Sequence, residues 1–253
     1  MACIARRQAD LDSLISEIES AGGNAFAIAA DVAQPGAASK IVSEVEQKFG
    51  PVDILINNAG ISRISPLVSE DPSIDIWWRI YEVNVRAPVA LIRAVLPSMI
   101  ERGSGVVMTT SSQVATMALP VMTAYASSKA AISKFHESIV PELAGTGVLS
   151  FAINPGMVAT ELGKPEHAIN KEAINHPAMQ AFIGSVGGAR KLQKPESCAN
   201  TMLTLASDER CKVLNGRHLN ADQVLEPVLL EAEKEGLGRV GKEKLYLVNI
   251  GEL

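Results

Sequence analysis

The chain has 253 residues, 47% of them hydrophobic and 20% charged, with a net charge of −5 and a pI near 5.5. That length holds one large α/β domain with a sizeable core, and the acidic balance argues against nucleic acid or an anionic membrane as the main partner. Cys3, Cys198 and Cys211 are odd in number and widely spaced, and His136, His167, His176 and His218 lack ligand spacing, so neither a disulfide framework nor a metal site is implied.

The amino terminus places Arg6 and Arg7 after an apolar stretch too short for a signal peptide, which predicts a cytoplasmic protein. Ala2–Ala5 reads as a strand. Leu11, Leu14, Ile15 and Ile18 form a helical stripe that stops at Gly22 and Gly23. Residues 25–30 suit a buried strand, and a helix follows from about Pro35 with Ile41, Val42, Val45 and Phe49 on one face and Gly50 as its stop. The next strand spans 53–56 and leaves through Asn57-Asn58-Ala59-Gly60. The apolar pattern predicts one long helix over 74–100, a strand over 106–110, a helix over 123–143 and a strand over 148–153 that turns at Asn154-Pro155-Gly156. Gly103 to Ser128 carries no charge, but its serines, threonines and Pro120 rule out a membrane span.

Residues 157–194 are weakly periodic, which suits a lid over a site. A helix from about Glu196 and a strand over 217–220 complete the pattern. Alternating strands and helices predict a parallel sheet with crossover helices, and nothing in the chain marks a linker or repeat, so residues 1–253 read as a single domain. Beyond it, 222–253 reads as an extension. Val224, Leu225, Val228, Leu229 and Ala232 form an apolar helix face, and Leu245-Tyr246-Leu247-Val248 is a strand or an apolar hook, packing on a neighbouring subunit or bordering the substrate entrance.

Tyr125 and Lys129, four residues apart, share a helix face. A phenol with its usual pKa of about 10 is a poor acid at neutral pH, and a nearby cation favours the phenolate and lowers that value. Ser112 and Asn84 lie upstream. Pro88, four residues after Asn84, has no N–H to bond the Asn84 carbonyl, which is thereby freed, or else the helix merely kinks there. Ser112 alone reads equally as a hydroxyl that satisfies a strand end.

In their order and spacing, Asp31-Val32, Asn57-Asn58-Ala59-Gly60, Asn84, Ser112, Tyr125 with Lys129, and Asn154-Pro155-Gly156 followed by Thr160 resemble the short-chain dehydrogenase/reductase family from Ile4 to about Asp222. The resemblance implies a Rossmann-like doubly wound parallel sheet with flanking helices, and an NAD(P)-dependent oxidoreductase that interconverts an alcohol and a ketone or aldehyde. Tyr125 becomes the general acid/base, Ser112 a hydrogen-bond donor to the substrate oxygen, Lys129 the cation that lowers the Tyr125 pKa and holds the nicotinamide ribose, and Asn84 the holder of a relay water. Asp31 and Val32 are implied at the adenine, Asn58, Ala59 and Gly60 at the adenine ribose, Pro155, Gly156 and Val158 beside the nicotinamide, and Thr160 at its carboxamide or a phosphate. The turn residues also serve backbone shape.

Arg6 stands near where an NAD-binding member carries an acidic residue, and two arginines at the start of a helix oppose its dipole. The expected cofactor is therefore NADP (NADPH) rather than NAD, with Arg6 and Arg7 at the 2′-phosphate. The substrate is expected to be a small, neutral, moderately hydrophobic carbonyl or alcohol. A homodimer or homotetramer is expected through the helices carrying Asn84 and Tyr125. Trp77 and Trp78 either add contact area there or pack internally.

The departure from the family is the glycine-rich turn after a first strand, which nothing before Ile4 supplies. The family's strand order puts that strand between 2–5 and 53–56, so the domain reads as amino-terminally truncated. Three readings follow: an oxidoreductase read from an internal methionine, a non-catalytic scaffold or partner of longer subunits, and an active short form that grips phosphate elsewhere. Gly184 to Gly188 and Gly236-Leu237-Gly238 lack a preceding strand and read as flexible turns.

Overall fold

In a computed structural model of the protein, the structure describes residues 1–68, 74–160, 162, 169–186, 192–221 and 223–234. Strand β1 (Ala2–Ala5) runs into helix α1 (Gln8–Ser20), which buries Leu11 and leaves Leu14 exposed. Parallel strand β2 (Phe26–Ala29) pairs with β1, and α2 (Ala37–Phe49) follows, its core face made by Ala38, Ile41 and Val42. Phe49, expected on that face, is exposed at the end of the helix, where its ring meets the edge of Phe26. Gly50 ends the helix at φ 83°, a conformation that costs glycine nothing.

After β3 (Ile54–Asn57), the expected single helix is three segments: α3 (Ile74–Tyr81), a π-helical turn (Glu82–Arg86) and α4 (Ala87–Glu101). Pro88 supplies the reason. It cannot donate to the Asn84 carbonyl, and the ladder shifts to the wider pattern, with the Ala87 N–H bonding the Glu82 carbonyl. The run Ile74–Glu101 is long and apolar enough to cross a membrane by length and composition alone, but 44% of its most apolar window is buried inside the protein.

Strand β4 (Gly105–Thr110) leads through a 3₁₀ turn (Gln113–Ala115) to α5 (Thr123–Ser138). That helix stops five residues short of the expected Leu143, because Pro141 has no N–H for the Glu137 carbonyl. Then come β5 (Val148–Asn154), α6 (Lys171–Asn175), α7 (Pro177–Val186), α8 (Pro195–Ser207), a 3₁₀ turn (Glu209–Leu214), β6 (His218–Asn220) and α9 (Leu225–Ala232). The segment read as a weakly periodic lid thus contains two helices. It is tied back by parallel bridges between Val158 and Gln193 and between Ile64 and Ile169. Helix α9 forms where the apolar stripe of the extension predicts it. Gly236-Leu237-Gly238 and Leu245 to Val248 lie outside the described residues.

Among the described residues all strand pairs are parallel, in two sheets: β1-β2, and β3-β4-β5-β6. Among the described residues no strand lies between β1 and β3, the place where the resemblance puts one. The two sheets share a layer instead, since α2 packs on α4. Ile4 and Ile28 from one sheet and Leu55 and Val107 from the other pack against Ile41, Val42, Leu91, Ile92, Val95 and Met99. On the opposite face Met108, Phe151 and Ile153 meet Met202, Leu205, Leu214, Leu219 and Leu229. Val107 and Met108, adjacent in β4, point to opposite layers as the pleat requires. Each fully buried Leu, Ile or Phe contributes about 1.5–3 kcal/mol to holding these layers together. Ile54 and Ile56 point away from the shared layer and remain 47% and 46% exposed, so β3 is half-buried rather than fully buried.

Candidate active site

The carboxyl ends of β3 and β4 and the first three turns of α5 meet at one polar centre. Helix α5 is seated by its own polar side chains: the hydroxyls of Ser133 and Ser111 lie 2.6 Å apart, and Ser111 also donates to the Lys129 carbonyl at 3.4 Å. This seating turns Lys129 toward the end of β4, where its ammonium donates to the Thr110 carbonyl at 2.7 Å. Lys129 is 3% exposed, and burial lowers its pKa from 10.5 to about 8.

One turn earlier, Tyr125 is 8% exposed, and the nearby Ser112 hydroxyl favours its phenolate. The Lys129 ammonium stands 5.7 Å from the centre of the Tyr125 ring. Here the structure corrects an expectation. The Tyr125 pKa is raised, not lowered, because burial outweighs the stabilising effect of Ser112, and the lysine is itself desolvated and committed to Thr110. Ser112 also caps the 3₁₀ turn by accepting the Val114 N–H at 3.4 Å, so its structural and chemical readings hold together.

The Asn84 side chain makes three hydrogen bonds. Its Oδ1 accepts the Ile61 N–H at 2.9 Å, and its Nδ2 donates to the Ile61 carbonyl at 2.9 Å and to the Ser128 hydroxyl at 3.0 Å. The turn after β3 is thereby tied to α5. A Cβ on Gly60 would stand 3.5 Å from both Asn84 Oδ1 and Lys129 Nζ, which shows how closely this backbone passes the lysine. Asn58 Oδ1 accepts the Thr110 hydroxyl at 2.9 Å and joins the same turn to β4. Ala59 lies between these two in the chain.

The remaining residues named from the sequence fall into two groups. Arg6 and Arg7 line a cavity of about 890 Å³ together with Gly60, Arg63, Trp78 and Arg79. Arg7 also pairs with Asp10 in the first turn of α1, which offsets the unfavourable dipole with no ligand needed. Asp31, expected at the adenine, already has its carboxylate committed: it accepts the Ala33 N–H at 3.0 Å and is bound by Arg79, which pulls its pKa below the usual range against the effect of burial. Val32 packs with Ala33, Val83 and Ala87. At the end of β5, Gly156 adopts φ 76° and donates to Asn154 Oδ1 at 3.1 Å. Pro155 and Val158 are half-buried at that edge, and Thr160 is exposed with no side-chain hydrogen bond among the described residues. Sequence reasoning missed Thr110, Ile61, Ser111 and Ser128. The first two act through backbone groups, which carry no residue-type signal, whereas Ser128 is legible as the i+3 neighbour of Tyr125.

Among the described residues no group of His, Cys, Asp or Glu side chains is arranged to hold a metal ion. Trp77 stacks on Tyr81 and donates to the Thr123 hydroxyl at 3.2 Å, and Trp78, though exposed, meets both Trp77 and Tyr81 edge-on.

Residues 1–170 match the family model described as short chain dehydrogenase. The chain is 58% identical over its whole length to a short chain dehydrogenase of Pseudocercospora fijiensis, of which it covers 82%. It resembles the crystal structure of a gluconate 5-dehydrogenase from Burkholderia cenocepacia in complex with NADP and tartrate, with a TM-score of 0.70 and 25% identity over 87% of this chain and 82% of that one. It also resembles a 7α-hydroxysteroid dehydrogenase complexed with NADH and 7-oxo glycochenodeoxycholic acid, with a TM-score of 0.72 and 29% identity over 87% of this chain and 81% of that one. A parallel α/β fold with serine, tyrosine and lysine converging at its strand ends, matched by sequence over the full chain, makes this protein a member of the short-chain dehydrogenase/reductase family of oxidoreductases.

Proposed function

We propose that the chain is an NADP(H)-dependent oxidoreductase that interconverts a neutral alcohol and its ketone or aldehyde, with Tyr125 passing the proton. The observation that carries this reading is the buried Tyr125 with the Lys129 ammonium 5.7 Å from its ring, held there by the Thr110 carbonyl at the end of β4. A raised pKa keeps the phenol protonated at neutral pH, the form that donates to a carbonyl oxygen as it gains negative charge. The Ser112 hydroxyl, whose oxygen accepts the Val114 N–H, still has its own proton to donate to that oxygen and share the developing charge.

The residues present suit the ribose and 2′-phosphate parts of a nicotinamide dinucleotide. The cavity joins two basic side chains, Arg6 and Arg7, to the Gly60 backbone, which passes beside Lys129. Lys129 and Gly60 are the residues to hold the ribose end, and Arg6 and Arg7 the 2′-phosphate. When bound, the cofactor supplies or accepts the hydride. The two solved relatives carry NADP and NADH, so a nicotinamide cofactor is supported, and the choice of NADPH rests on the two arginines.

The chain is further read as a cytoplasmic homodimer or homotetramer that associates through α3 to α5, where Ile74, Ile76 and Trp78 are exposed. Sedimentation of the purified protein tests the assembly. The chemistry is tested by following NADPH consumption with a panel of ketones and aldehydes. Consumption that depends on substrate and disappears in Tyr125→Phe supports the reading; a Tyr125→Phe protein with full turnover overturns it.

A further inference from the structure

His136 is fully buried, lies outside the site residues above, and yet has a hydrogen-bond partner on each ring nitrogen. Nδ1 is 2.7 Å from the Ser150 hydroxyl of β5, and Nε2 is 2.7 Å from the Thr109 hydroxyl of β4. Asn57 of β3 donates to the same Thr109 oxygen at 3.4 Å. The Ser150 N–H is in turn held by Asn215 Oδ1 at 2.8 Å. One imidazole thus joins a helix to two strands through directional bonds, with a third strand bonded to the same hydroxyl, where the surrounding core offers only non-directional contacts.

We propose that His136 is a positioning residue whose bonds to Thr109 and Ser150 set the register of α5 on the sheet, and with it the places of Lys129 and Tyr125. Lys129 and Tyr125 precede His136 by seven and eleven residues, roughly two and three helical turns, so all three lie on one stripe of α5. Ser133, one turn before His136, bonds Ser111 on that stripe and repeats the peg closer to the site. An apolar residue at position 136 would fill the space but leave the buried Ser150 hydroxyl without its ring partner and Thr109 with only the longer bond from Asn57, and allow the helix to slide or rotate over a smooth core. Directional pegs resist that movement. The buried imidazole stays neutral, with its pKa lowered to about 3 by burial, so the peg does not change with pH in the working range.

The consequence for turnover rests on the function proposed above, and the test therefore reads Lys129 directly. In protein with ¹³C-labelled lysine, Lys129 is assigned by its loss in Lys129→Arg and is expected to titrate near pH 8, far from ordinary lysines at about 10.4. His136→Phe keeps the ring volume and removes both bonds; Ser150→Ala removes one and guards against a fold lost in the first variant. Leu205→Ala is the control: Leu205 is buried on the opposite face of the sheet and destabilises without touching the network. The expected result is a Lys129 midpoint raised by about one pH unit, tenfold in proton affinity, in His136→Phe or Ser150→Ala, and unmoved in Leu205→Ala. An unmoved midpoint in both network variants, or an equal rise in Leu205→Ala, overturns the proposal. A raised midpoint in a protein without any reductase turnover would sustain the positioning role and remove only the functional reading.

Discussion

Asn84 grips Ile61 as a paired strand would, accepting its N–H and donating to its carbonyl, each at 2.9 Å. A side chain in the π-helical turn thus satisfies both backbone groups of a loop residue next to Gly60 and holds that loop beside Lys129. Replacing Asn84 with Ala orphans two backbone groups and the bond to Ser128, at about 1–3 kcal/mol for each buried group left unpaired. We expect a lowered urea midpoint and weaker cofactor binding together. Asn84→Asp is expected to be worse than Ala in cofactor affinity, since its carboxylate faces the Ile61 carbonyl with no donor.

Removing the Tyr125 hydroxyl leaves the ring and its packing in place. Tyr125→Phe is expected to lower kcat by about 10²–10⁴-fold with little effect on cofactor affinity, because the lost group acts on the proton. Ser112→Ala should lose less in kcat, and should also loosen the 3₁₀ turn that it caps. Steady-state kinetics with cofactor titration on each variant separates the two effects.

Acid stability should depend on His136. Its folded pKa of about 3 lies below the ordinary 6.5, so between those values the unfolded chain binds the extra proton and stability falls as pH drops. The slope approaches about 1.4 kcal/mol per pH unit for this group. Lys129 acts in the alkaline window: with a folded pKa of about 8 against 10.5, stability rises with pH between those values, as the buried ammonium is relieved of its charge. Denaturant unfolding from pH 3 to 7 should show a shallower acid loss in His136→Phe than in the parent, and Lys129→Met should flatten the alkaline rise.

On the proposed function, Arg6 and Arg7 set the preference for NADPH. A charge-assisted bond to phosphate is worth about 1.5–3 kcal/mol, so Arg6→Asp should weaken NADPH binding by roughly tenfold or more and leave NADH binding unchanged or improved. Equal losses for both cofactors would place Arg6 outside the 2′-phosphate site. Trp78 lines the same cavity and offers a fluorescence signal for either titration.

Motif order and helical spacing made much of this protein legible from the chain alone. Tyr125 and Lys129 share a face because α5 has 3.6 residues per turn, and Pro88 signals an irregular helix beside Asn84. The early stop of α5 at Ser138 was also written in Pro141, and reading the apolar pattern past it overran the helix. The lid was harder, because α6 and α7 are short and their apolar residues face a local surface rather than the main core.

What the sequence determined by itself is therefore the parallel order of the strands, most of the helices between them and the candidate set Ser112, Tyr125 and Lys129, since local periodicity and residue chemistry suffice for these. Tertiary structure alone decided the protonation behaviour. The Tyr125 pKa rises because burial outweighs the stabilising effect of Ser112, and the Lys129 pKa falls because the folded core removes water from it, and neither burial is visible in a pair of residues four apart. It also decided that Asp31 is held by Arg79, that Asn84 holds Ile61, and that His136 joins α5 to two strands. Those contacts pair residues from 14 to 48 positions apart, where only the folded chain sets the distance.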